Sequence, residues 1–204
     1  DTATTEIYTL SLHDALPISL YARLAGFQYP WEAERFYEQL RSRMVKFGLE
    51  LEENKSRIVE SGRYLASLKA KRGESTRLGT FDFLGFTFYC GRTTKGNPWI
   101  MPKTSSKKFR QKVKEIKIWL YNNKEQKLGK LMYMLNVKLV GHYRYYGISF
   151  NSRMISNYKQ QVRELLYKVL NRRSEKKSYT REGFIEMMKY YKLVNPKIYY
   201  SLFC

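Results

Sequence analysis

Between Gly141 and Gly147 stand His142, Tyr143, Arg144, Tyr145 and Tyr146, four rings around one guanidinium. One helix length later come Arg172, Arg173, Lys176, Lys177 and Arg181. Flat rings stack on unpaired bases, while guanidinium and ammonium groups hold phosphates, so together they suit single-stranded or looped RNA. A surface built only for solubility needs the charges without the rings. Each ring also has a second reading, as core, because Tyr143 and Tyr146 are three apart on a helical period. Both readings stay open at this point.

The same residues offer little to catalysis. His142 has no Cys, Asp or Ser partner nearby in sequence, so a ring that packs or touches RNA is expected rather than a general base. Asp82 is a single carboxylate in an aromatic strand and reads as a turn or pairing residue. Cys90 and Cys204 are far apart and lack metal-ligand spacing, which fits a reducing cytoplasmic setting without a disulfide framework. No catalytic residue, metal ligand or cofactor is assigned. No apolar run approaches the roughly 18 residues of a membrane span.

Charge extends the basic pattern. The 204 residues carry 38 Lys+Arg against 18 Asp+Glu, a formal net charge of +20. From Lys103 onward there are 24 basic and 6 acidic residues. Lys103, Lys107, Lys108, Arg110, Lys112, Lys114 and Lys117 open this half. Such a field concentrates a polyanion at the surface.

The elements that position these residues follow from spacing. Phe36, Leu40, Met44 and Phe47 predict a helix from Pro30, with Glu32 and Glu34 favouring its positive end and Gly48 as its stop. Leu49–Leu51 and Ile58–Val59 read as short strands, and Arg63–Gly79 as a loop with a helical turn. Phe81–Phe88 reads as a strand in which Gly85 marks a bulge or a close backbone approach. Trp99–Met101 returns as a strand before Pro102. Beyond it, Phe109, Val113, Ile116 and Leu120 form one helical stripe, and Leu128, Leu131, Leu135 and Leu139 a second. A third comprises Ile155, Val162, Leu165, Leu166 and Val169, with Asn151 or Ser152 as its cap. Thr180 opens a fourth helix. The expected fold is α+β: residues 20–101 a small mixed piece, residues 103–204 an all-helical basic piece.

Residues 1–19 stand apart. They contain none of the chain's lysines or arginines. They resemble the translation of a short-read sequencing adapter, which makes them an expected artefact, disordered and outside the fold.

Three blocks in order resemble the group II intron-encoded reverse transcriptase/maturases. Phe47–Ile58 resembles the end of that family's palm, with Asn54 and Ser56 departing from its usual pattern. Phe81, Phe83, Leu84, Gly85 and Phe86 resemble its primer-grip strand. Gly141–Phe203 resembles its thumb-linked maturase domain. The resemblance implies a partial palm (helix plus short antiparallel strands) followed by a helical thumb and maturase domain. It also implies structured intron RNA and an RNA/DNA hybrid as partners, and a role in splicing and intron mobility. In that family a Tyr-Ala-Asp-Asp turn holds Mg ions for polymerisation. Here Tyr21-Ala22 is followed by Arg23-Leu24, and no two Asp are adjacent. A chain truncated upstream and unable to polymerise is therefore expected, with Lys55 only a surface lysine. The competing reading is a non-enzymatic basic RNA- or DNA-binding module unrelated to introns.

Overall fold

The computed structural model describes residues 6–11, 24–49, 56–62, 65–73, 78–172 and 179–202. The chain divides into two compact units, Asp1–Pro102 and Lys103–Cys204. The class is α+β, with antiparallel strands in the first part and helices in the second.

The first unit begins with strand β1 (Glu6–Ser11), the middle of a three-stranded sheet between β2 (Leu24–Phe27) and β3 (Arg57–Gly62), all antiparallel. Disorder was the expectation for residues 1–19, and over Glu6–Ser11 the structure differs. Backbone pairing is indifferent to where a sequence comes from, and Ile7, Tyr8 and Thr9 are residue types that suit a pleated strand. Helix α1 (Pro30–Lys46) starts as expected, with Pro30 at its first position. The Glu32 carboxylate accepts from the backbone N–H of Gln28 and of Tyr29, both at 3.3 Å. Gly48 follows at φ +68°, a left-handed stop that glycine adopts without steric cost. A short helix α2 (Leu65–Lys71) lies within the stretch expected to be mostly loop. The expected strand Leu49–Leu51 falls largely outside the described residues.

The aromatic block is a hairpin, not one strand. Phe81–Phe83 (β4) and Phe86–Arg92 (β5) are two antiparallel strands, with Phe83 opposite Phe86. Leu84 and Gly85 form the turn between them at φ 47° and 80°. Positive φ at both central residues makes a two-residue hairpin of the kind whose twist matches the flanking strands. Gly85 is thus a turn residue, not a bulge in one continuous strand. Strand β6 (Pro98–Thr104) completes the sheet in the order β4-β5-β6.

The second unit is built from α3 (Ser106–Asn122), α4 (Leu128–Tyr146), α5 (Ser152–Leu170) and α6 (Arg181–Tyr190). The stripes named from the sequence supply much of its core: Ile116 and Leu120 from α3, Leu131, Leu135 and Leu139 from α4, Ile155, Val162, Leu166 and Val169 from α5. Ser105 caps α3 by accepting from Lys108 N–H at 3.3 Å, and Thr180 caps α6 by accepting from Gly183 N–H at 3.1 Å. Asn151 occupies the cap position of α5, yet its side chain makes no cap bond. It is wholly buried and ties three segments instead. Its Oδ1 accepts from Thr104 N–H, while its Nδ2 donates to Thr104 Oγ1 and to the Tyr146 carbonyl, each at 2.8 Å.

Candidate nucleic-acid interface

The Gly141–Gly147 segment forms the C-terminal end of α4, and the helical period sorts its residues into two faces. His142, Tyr143 and Tyr146 point into the core; Arg144 and Tyr145 face solvent. Inside, the His142 ring stacks on Tyr158 of α5 with centroids 3.7 Å apart and lies 4.7 Å from Tyr146. Phe109 of α3 meets Tyr158 edge-on at 6.2 Å. Three of the four rings proposed for base stacking are therefore internal, because α4 uses their area to close the bundle against α3 and α5. A base cannot reach them in this conformation.

Burial sets the electrostatics of this cluster. Desolvation, with a smaller contribution from the Lys112 charge, pulls the His142 pKa down to about 4, so the ring is neutral at pH 7. Burial likewise pushes the phenols of Tyr143, Tyr146 and Tyr158 above their ordinary range. These groups stay uncharged and act as apolar volume. The Tyr143 hydroxyl has no hydrogen-bond partner among the described residues.

Gly147 explains why the motif ends in glycine. A Cβ there would stand 2.3 Å from the Tyr143 carbonyl oxygen and 2.4 Å from that of Lys197. The C-terminal segment crosses at this point, where Tyr199 and Tyr200 both donate N–H to the Gly147 carbonyl at 2.7 and 3.1 Å. Asn136 of α4 holds the same segment further along: it accepts from Val194 N–H and donates to the Lys192 carbonyl. Nothing in the periodicity of 191–202 foretold this strap.

The cations divide less evenly than their number suggests. Lys107, Arg110, Lys114 and Lys117 are exposed and fall at i, i+3, i+7 and i+10 of α3, one stripe about 15 Å long at 1.5 Å per residue. Lys103 and Lys108 are exposed nearby in sequence. Lys112 is half-buried and pairs with Glu115 at 2.8 Å, which lowers the Glu115 pKa. Arg172 donates to the Tyr121 hydroxyl at 2.6 Å and lies over that ring. Arg181 stacks on Tyr167 at 4.2 Å and pairs with Glu164 at 3.1 Å. Arg173, Lys176 and Lys177 lie outside the described residues, as does Lys55.

In the first unit, the residues likened to a primer grip form the hairpin described above. Phe81 is buried and stacks on Phe88 at 5.1 Å, while Leu84 stands exposed at the turn. Asp82 accepts from the Thr87 hydroxyl across the hairpin, so its carboxylate has a pairing role. Among the described residues no group of three or more His, Cys, Asp or Glu could hold a metal ion. No helix among them is long and apolar enough to cross a membrane.

Sequence reasoning passed over two exposed positions on α4, Tyr133 and Val137, and the Lys138 ammonium 5.0 Å over the Trp119 ring. The signal was present: Tyr133, Val137, Gly141 and Arg144 keep helical spacing opposite the leucine stripe.

Fold and surface define the second unit as a strongly basic domain, with four helices among its described residues and rings on both its inside and its surface. Residues 106–191 match the family model described as group II intron, maturase-specific domain. That part of the chain is thus similar to the maturase-specific domain of group II intron proteins. No curated protein and no solved structure matches it.

Proposed function

We propose that the chain binds structured group II intron RNA and assists its splicing and mobility, with the second unit supplying the grip. The observation that carries this reading is the maturase-specific match over 106–191 on a unit whose α3 presents a four-cation stripe to solvent. Cations along one helix face meet phosphates on neighbouring nucleotides, and counterion release then drives association. The inward rings contribute rigidity. Arg172 and Arg181, already laid over Tyr121 and Tyr167, present guanidinium planes fixed by those contacts.

The first unit reads as the end of a reverse-transcriptase palm with its primer-grip hairpin, and the second as thumb plus maturase domain. The parent enzyme would be an RNA-directed DNA polymerase using Mg ions and meeting an RNA/DNA hybrid, in the cytoplasm. This chain itself should extend no primer, since its sequence contains no paired aspartates.

The test compares a group II intron transcript with an unstructured RNA of equal length, titrated against the full chain at physiological salt. Tighter binding to the intron, together with faster splicing of that transcript, is expected. Equal affinity for both RNAs and no effect on splicing would favour a basic module unrelated to introns.

A further inference from the structure

Helix α4 also carries two exposed rings outside its leucine stripe, Tyr133 and Tyr145, the latter edge-on to the buried Tyr146 at 4.8 Å. Lys130, Tyr133, Val137, Gly141 and Arg144 are all exposed and fall at i, i+3, i+7, i+11 and i+14, one stripe on the side away from the buried leucines. Tyr133 is 72% exposed and Tyr145, beside this stripe, 54%. Gly141 leaves the ground between them open, since nothing lies within 4 Å of where its Cβ would stand. Exposed rings interleaved with cations are the composition of a single-strand platform, in which bases stack on π-faces while the backbone follows positive charge.

We infer that this face of α4 is a docking platform for an unpaired run of ribonucleotides, with bases on Tyr133 and Tyr145 and phosphates on Lys130 and Arg144. The two tyrosines are twelve residues apart, about 18 Å along the axis at 1.5 Å per residue and about a third of a turn around it, with Gly141 between them. That span matches about five nucleotides at roughly 3.4 Å per stacked base. Charge decides the occupant. A second copy of this chain would bring its own 38 Lys+Arg against 18 Asp+Glu to the contact, and like charges repel. A duplex hides its base faces inside the stack, so only an unpaired strand uses both rings and cations. The inference rests on the RNA-binding reading above and adds the form of RNA taken at this face.

The test uses the full chain and two probes, a fluorescein-labelled oligouridine dodecamer and a fully paired RNA duplex of the same length, followed by fluorescence anisotropy. Tyr133→Ala combined with Tyr145→Ala should weaken oligouridine binding about tenfold or more, as expected when two bases are left without a ring to stack on, and leave duplex binding unchanged. Tyr133→Phe with Tyr145→Phe keeps both rings and should bind oligouridine like wild type. Both positions are exposed, and matching thermal melts of all three proteins establish that the fold is intact. If the Ala pair binds oligouridine as tightly as wild type, the platform is overturned while the RNA-binding reading stands. An equal loss on the duplex overturns it too, since stacking cannot act there. If wild type binds neither probe, both readings fall together.

Discussion

The two units differ in how they bury their aromatic residues, although both also leave rings exposed. In the first, the described rings meet in small local pairs: Phe27 with Phe36, Tyr29 with Trp31, Phe81 with Phe88. Trp31, Phe36 and Phe47 remain exposed. In the second, Tyr143, Tyr146, Tyr158, Phe184 and the His142 ring join the leucines and valines of four helices in one interior. A long helix presents a continuous stripe that buries itself against its neighbours, whereas a strand of three to seven residues buries only what other strands bring to it. Cohesion is therefore expected to concentrate in the second unit, and charge outside it.

The largest effect should come from cutting the better-packed interior. Leu135 is fully buried, so Leu135→Ala should cost about 2–5 kcal/mol through reduced burial and the cavity left behind. Phe36→Ala, at a half-open position of the first unit, should cost distinctly less. Urea unfolding of both variants measures the difference, and equal losses would erase the contrast between the units.

Acid sharpens the same contrast. The His142 pKa is about 4 in the folded chain against 6.5 for the free side chain, so the unfolded state binds the extra proton first. Stability is then flat above pH 6.5 and falls as pH drops from 6.5 toward 4, by about 3 kcal/mol at the low end. His142→Phe keeps a ring against Tyr158 and should remove this window from a stability-versus-pH series. A smaller test is the α6 cap: Thr180→Ala removes the acceptor for Gly183 N–H and should cost about 1 kcal/mol in a thermal melt.

The contrast also explains what the sequence made legible. Leucine and valine stripes outlined α3, α4 and α5 because period 3.6 records a buried face directly. That period, run around α4, also tells which rings of 142–146 turn inward, although composition alone leaves each ring open between core and surface. The hairpin at Leu84-Gly85 was hidden because leucine is a rare occupant of positive φ, so the turn lacked its usual Asn-Gly signal. The role of Asn151 was hidden for a different reason: its partners, Thr104 and Tyr146, meet it only after folding. The C-terminal strap is held by backbone bonds to Gly147 and by the Asn136 amide, whose partners meet it only after folding, so no periodic pattern records it.

The most direct test of the account is the salt dependence of RNA affinity for the full chain and for a variant combining Lys107→Ala, Arg110→Ala, Lys114→Ala and Lys117→Ala. Every cation that pairs with a phosphate in the wild type should, once replaced, reduce the slope of log K against log salt by about 0.7 for single-stranded RNA. A clearly flatter line for the variant, with an unchanged melt, is the predicted result. A slope identical to wild type would contradict the claim that the outward cations of α3 hold the RNA.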